Sequence, residues 1–281
     1  MCRNITALLC SLLALTVSSV APNKAHADAQ GKLLLILVGG NSECRRENTS
    51  KERNSIKGLR GHIEWRLKHT PAASGLIVEK HYYSWTGDLE KDEGCLPGHL
   101  DWLDGSKRIR ADLPEVLRPN SDRQIVIVGW SNGGATAYEL ACSLSMLDPD
   151  RVSLLVTLDP VSRLTDPTRY CKGNGGSLIR PAKTWIGVYT HSAGWESLNF
   201  SNIIALAGNA WNDTYPPGPE NRARPLMLLY PANHGDVQKM WVDCVEASRA
   251  FQRWADAQPI SAGGLSPRRE ACRGNKIRAR N

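Results

Sequence analysis

Apolar and polar positions fall into blocks of two lengths along this chain. Lys32 to Val38 (KLLLILV) is an unbroken apolar run closed by Gly39-Gly40, the pattern of a strand covered on both faces. Leu76 to Trp85 predicts a second strand, Gln124 to Val128 (QIVIV) a third and Val152 to Leu158 (VSLLVTL) a fourth. Lys183 to Thr190 (KTWIGVYT) and Leu226 to Tyr230 (LMLLY) predict the fifth and sixth. Helix-length segments separate them. Asn54 to His69 carries Ile56, Leu59, Ile63 and Leu67 at three- and four-residue spacing, one apolar stripe of a helix. Leu100 to Leu117, with Pro114 as a kink point, Gly133 to Met146 and a closing Val237 to Ala257 complete the set. Strands alternating with helices predict an α/β fold: a mainly parallel sheet of about six strands with helices on both faces. No internal repeat is found.

The two ends differ from this body. Arg3, the apolar stretch Ile5 to Val20 and Ala25-His26-Ala27 form a secretory signal over residues 1–27, cut before Asp28. The run is too short, and too soon polar, for a good membrane anchor. Leu8-Leu9 before Cys10 lacks the small residue of a lipid-attachment site. No other segment is apolar for long enough to span a bilayer. Residues 28–257 make the folded domain, and residues 258–281 read as a mobile basic tail pinned at Cys272. The expected location is therefore secreted or periplasmic. Cleavage leaves Cys44, Cys95, Cys142, Cys171, Cys244 and Cys272. None forms a C-x-x-C pair, so zinc ribbons and dithiol redox sites lack support, and up to three disulfides are expected. Cys44 with Cys95 is the favoured pair; Cys142, inside a helix, competes as a free core thiol.

At 281 residues, 41% hydrophobic and 22% charged, the chain is not disordered as a whole. Its formal charge of +7 invites a nucleic-acid or anionic-membrane reading. The distribution removes that reading. Residues 28–257 hold 27 basic and 27 acidic side chains, so the excess sits in the signal and the tail. No nucleic-acid motif accompanies it.

The most informative segment is Gly129-Trp130-Ser131-Asn132-Gly133, a G-x-S-x-G directly after a strand and opening a small-residue helix. The pattern alone is weak, and its context strengthens it. A serine on a sharp strand-to-helix turn needs small neighbours two residues either side, and the turn lifts its hydroxyl above the sheet. A phosphate loop is the poorer reading, because neither a Lys-Ser/Thr pair nor G-x-G-x-x-G is present. His234, in Pro231-Ala232-Asn233-His234-Gly235-Asp236, follows the last strand and is the candidate base. Asp159, in Thr157-Leu158-Asp159-Pro160, ends the fourth strand and is the favoured acid. Asp213 is its competitor, with Glu196 behind it. Backbone N–H groups of Asn132 and of Gly40 or Asn41 are the candidate oxyanion donors.

With GWSNGG, TLDP and NHGDV in that order, Leu33 to Ala257 resembles a serine esterase or lipase of the α/β-hydrolase superfamily. An acid directly after the strand following the nucleophile helix is similar to the pancreatic-lipase type, whereas most members take it from the next strand. Trp130 stands where His or Tyr is more usual. The first strand follows the signal closely, which implies a trimmed sheet like that of small cutinase-like enzymes. The resemblance implies carboxylic ester hydrolysis through an acyl-enzyme, with no metal and no organic cofactor. The implied partner is a small-molecule or lipid ester. Trp85, Trp130, Trp195 and Trp211 are candidate pocket residues, and Ala193 to Trp211 is a candidate lid against a plain core reading. Acyl transfer to alcohols, thioester or amide cleavage on the same triad, and a non-catalytic binding protein are the competing functions. Acyl-chain length and oligomeric state leave no sequence signal.

Overall fold

The computed structural model describes residues 32–40, 55–84, 105–114, 123–161, 171–172, 179–190, 226–229, 233–256 and 269–273. All belong to the unit Gly31–Asn281. The signal segment, Asn41, Cys44, Trp85, Cys95, Trp195, Glu196, Trp211, Asp213 and the candidate lid lie outside the described residues.

Among the described residues, seven strands form one sheet in the order β2-β1-β3-β4-β5-β6-β7, and every neighbouring pair is parallel. They are β1 (Lys32–Val38), β2 (Ile77–Tyr83), β3 (Gln124–Trp130), β4 (Val152–Leu158), β5 (Thr184–Thr190), β6 (Leu226–Leu229) and β7 (Arg269–Ala271). The first six match the sequence expectation to within two residues. The seventh is new: three residues of the basic tail, Arg269–Ala271, pair with β6. Three residues are too few to show a hydrophobic period, and their pairing uses the backbone groups along the edge of β6.

Strand geometry sends successive side chains to opposite faces, and both faces are covered. Leu33, Leu35 and Leu37 of β1 join Val126 and Val128 of β3 in one apolar cluster. Leu34, Ile36 and Val38 join Ile125 and Ile127 in another. That explains the continuous apolar runs, since no strand position in the centre is left for water. Ser153 interrupts the β3–β4 register as an extra residue, and its hydroxyl donates to the Ile125 carbonyl (3.0 Å). The bulge returns Leu154 and Leu155 to alternate faces. Each buried Leu, Ile or Val contributes about 1.5–3 kcal/mol relative to exposure.

The first face is covered by α1 (Ile56–Lys68), whose Ile56, Leu59, Ile63 and Leu67 are buried. Ser55 caps it, accepting from Gly58 N–H (2.9 Å). The second face is covered by α2 (Gly105–Asp112) and α3 (Asn132–Leu147). The predicted Leu100–Leu117 helix is helical at Gly105–Asp112 among the described residues, ending just ahead of Pro114, which cannot continue it. Reversal of direction along the sheet thus accompanies a change of face, and β1 and β3 flank the switch point. In such sheets, sites lie outside the carboxyl ends of the strands at that switch.

The expected single closing helix is instead broken. An α-turn, α4 (Val237–Lys239), runs into a π-helix (Met240–Val245), and a second helix, α5 (Arg249–Ala255), follows. Glu246 N–H reaches back five residues to the Trp241 carbonyl (3.0 Å), and Ser248 starts α5 by accepting from Phe251 N–H (3.0 Å). These segments return to the α1 face. The β6–β7 step therefore runs in the direction of β3–β4 with its helices on the other face, the opposite hand. A disulfide, Cys244–Cys272 (Cα–Cα 4.4 Å), fastens this closing segment to the end of β7. Cys142 is not a free thiol; it pairs with Cys171 (Cα–Cα 5.0 Å), tying α3 to the segment after β4. Closing loops of 29 and 28 residues, each bond removes about 3–4 kcal/mol of unfolded-chain entropy. Among the described residues no helix is long and apolar enough to cross a membrane.

Candidate active site

Three strand ends at the carboxyl edge build the site. β3 ends at Trp130 and α3 begins at Asn132, so Ser131 alone makes the turn, with φ 56° and ψ −130°. Such a backbone is costly for a residue with a Cβ and persists only where its surroundings impose it. They do so here through backbone hydrogen bonds. Ser131 N–H donates to Leu158 O (3.0 Å), while Ser131 O accepts from Gly134 N–H (2.9 Å) and Val161 N–H (3.0 Å). The flanking glycines are required by close approach. A side chain at Gly129 would meet the Gly133 carbonyl and Ala137, and one at Gly133 would meet the carbonyls of Val38 and Gly39. The start of α3 therefore rests directly on the end of β1.

Asp159, one residue past β4, is the other non-glycine with positive φ among the described residues (40°). Its N–H donates to Val188 O of β5 (2.7 Å). Its carboxylate is held from the end of β5 as well: Thr190 N–H donates to Oδ1 (3.1 Å) and the Thr190 hydroxyl to Oδ2 (2.7 Å). Thr190 was not singled out in the sequence. A threonine closing a β-branched strand carries no local mark of such a partnership.

His234 lies in the turn after β6, which Asp236 closes by accepting from Asn233 N–H (3.0 Å). His234 Nδ1 is 2.7 Å from Asp159 Oδ2, and Nε2 is 2.8 Å from Ser131 Oγ. A carboxylate only accepts, so Nδ1 carries the proton and Nε2 is left to accept from the serine hydroxyl. The sequence separations are 75 and 103 residues, so the contact is made by the sheet and not by local chain. All three side chains are buried, at 3% exposure for Ser131, 5% for Asp159 and 4% for His234. Burial strengthens these hydrogen bonds, and each polar atom of the relay is partnered.

Gly40 lies beside the serine: a Cβ there would stand 3.0 Å from Ser131 Cβ. Asn132 is the first residue of α3, so its N–H has no acceptor within the helix. Gly40 is thus placed next to Ser131, and the N-terminus of α3 adds partial positive charge beside it. Tyr83, at the end of β2, supports this loop by accepting from Gly39 N–H (2.9 Å) through its carbonyl. Its hydroxyl donates to Asp112 (2.7 Å). Burial, then the Asp112 carboxylate, pushes that hydroxyl far above its ordinary range. This favours the neutral, donating form of the Tyr83 hydroxyl.

Trp130, a candidate pocket residue, lies against the site from below. It is buried in the cluster on the α1 face, and its indole N–H donates to the His234 carbonyl (2.9 Å). The strand alternation that puts Val126 and Val128 on that face puts Trp130 there too. Among the described residues no group of three His, Cys, Asp or Glu side chains is placed to hold a metal ion. What the arrangement can do chemically is move a proton from a hydroxyl to a buried imidazole backed by a carboxylate. No family model matches the chain, and no curated protein matches it in sequence.

Proposed function

We propose that this protein is an exported serine hydrolase of the α/β-hydrolase kind, cleaving carboxylic esters with Ser131, His234 and Asp159. The observation that carries the reading is the relay of 2.8 Å and 2.7 Å contacts on a strained Ser131 at the carboxyl edge of a parallel sheet. His234 Nε2 takes the hydroxyl proton as Ser131 Oγ attacks the ester carbonyl. The Asn132 and Gly40 amides stabilise the oxyanion. Asp159 holds the tautomer and stabilises the imidazolium. That imidazolium returns its proton to the departing alcohol, leaving an acyl-serine. Water then repeats the sequence, with His234 as base, and releases the carboxylic acid.

The sheet order supports the fold assignment, with the nucleophile after β3, beside the switch point, and the acid after the neighbouring β4. Export is supported by two disulfides, bonds that persist in oxidising compartments. The test is hydrolysis of p-nitrophenyl acetate and butyrate by the mature chain beginning at Asp28. Turnover that disappears in Ser131→Ala, with the circular dichroism spectrum unchanged, is the expected result. A variant as active as the parent would end the proposal.

A further inference from the structure

Trp130 touches three parts of the site at once. Its Nε1–H donates to the His234 backbone carbonyl at 2.9 Å, a bond between residues 104 positions apart. Its ring faces the His234 imidazole, with centroids 5.4 Å apart and planes tilted by 31°. Its far edge, Cε3 and Cζ3, fills the space at Gly40, where a Cβ would stand 2.8 and 2.9 Å away. The indole is 5% exposed, so packing fixes its position. Trp130 and Ser131 also share a peptide bond, so a shift of this turn moves both together.

We propose that Trp130 is a positioning residue that keeps His234 and the Gly40 loop in register with the Ser131 hydroxyl. Asp159 fixes one edge of the imidazole, and Trp130 fixes its face and the backbone that carries it. The indole face also attracts the imidazolium as it forms. This role rests on the hydrolase reading for its kinetic consequence, but the geometry it describes is measurable without activity.

Trp130→Phe keeps a ring and removes the N–H; Trp130→Leu removes the face as well. On p-nitrophenyl acetate, kcat is expected to fall about tenfold in the first and about 100-fold in the second, as misplacement by a fraction of an ångström requires. KM stays within about twofold, because uniform binding is not what is lost. Leu155→Ala, a cavity in the cluster on the other face, serves as a control of matched thermal loss and keeps kcat. Unchanged kcat in Trp130→Phe, a rise in KM alone, or an equal loss in the Leu155 control would overturn the role. Independently, the proton on His234 Nδ1 should give a narrow downfield NMR signal that vanishes in His234→Gln and broadens in Trp130→Phe. Absence of that signal in the parent, or its persistence unaltered in Trp130→Phe, also overturns the role. A parent that shows this behaviour yet cleaves no ester would leave Trp130 as positioned and remove the hydrolase reading instead.

Discussion

The carboxyl edge of the sheet and its interior obey different rules. In the interior, β1, β3 and β4 are filled with fully buried aliphatic residues in ordinary extended backbone, divided between two apolar clusters. At the edge, one residue beyond β3 and β4, stand Ser131 and Asp159, with positive φ and buried polar side chains. The interior is where folding free energy is gained. The edge is where some of it is given up, held in place by backbone bonds between three strand ends. Stability and chemistry are therefore separable by mutation, which is a testable property of this molecule.

The largest effect is expected at the strained serine. Ser131→Ala should lower kcat by at least about 10⁴-fold, whereas Ser131→Gly should do the same and also raise stability by about 1 kcal/mol by releasing backbone strain. Steady-state rates and urea midpoints on the same samples read both. A Ser131→Gly variant less stable than Ser131→Ala would mean that the turn carries no strain. Next, Asp159→Asn should cost about 10³–10⁴-fold in kcat, because the amide favours the wrong imidazole tautomer. In the interior the pattern reverses: Leu155→Ala should cost about 2–5 kcal/mol of stability and leave the rate per folded molecule unaltered. Denaturant curves paired with active-site titration decide this.

The smallest effect belongs to the surface of the body. Glu64 on α1 accepts from Lys68 (2.8 Å) and also pairs with Lys80 of β2. The Lys68 hydrogen bond, then that of Lys80, holds its carboxyl below the usual range. A carboxyl lowered in the folded state stabilises above its unfolded pKa and loses that contribution as pH falls through the folded value. Glu64→Gln should thus cost about 0.5 kcal/mol at pH 7, with the difference vanishing in acid and activity unaffected. A difference that grows on acidification would contradict the pairing.

How much the sequence disclosed also follows this division. Strands β1, β3, β4 and β5 were legible because burial on both faces writes a nearly unbroken apolar run, and α1 because Ile56, Leu59, Ile63 and Leu67 repeat with the helical period. Ser131, Asp159 and His234 each sit in a short polar or glycine-rich motif at a strand end, so their candidacy could be read locally. Their hydrogen-bonded relay could not, and neither could the Thr190 support of Asp159 or the Trp130 contact with His234. Those partners lie 31 and 104 residues apart and leave no local pattern. The disulfide partners of Cys142 and Cys244 were hidden for the same reason. The π-helical break after Lys239 was hidden because its residues still repeat like a helix. Asn41, Asp213, Trp85, Trp195 and Trp211 lie outside the described residues and keep the standing the sequence gives them.

The most direct measurement is covalent. A fluorophosphonate transfers its phosphorus to a serine oxygen that a base has activated, with fluoride departing. The mature protein should take up one equivalent, mapped by peptide mass to Ser131. Ser131→Ala should take up none, and His234→Gln should react at least about 10³-fold more slowly. A parent that stays unlabelled, or a Ser131→Ala variant labelled as fast as the parent, would contradict the account.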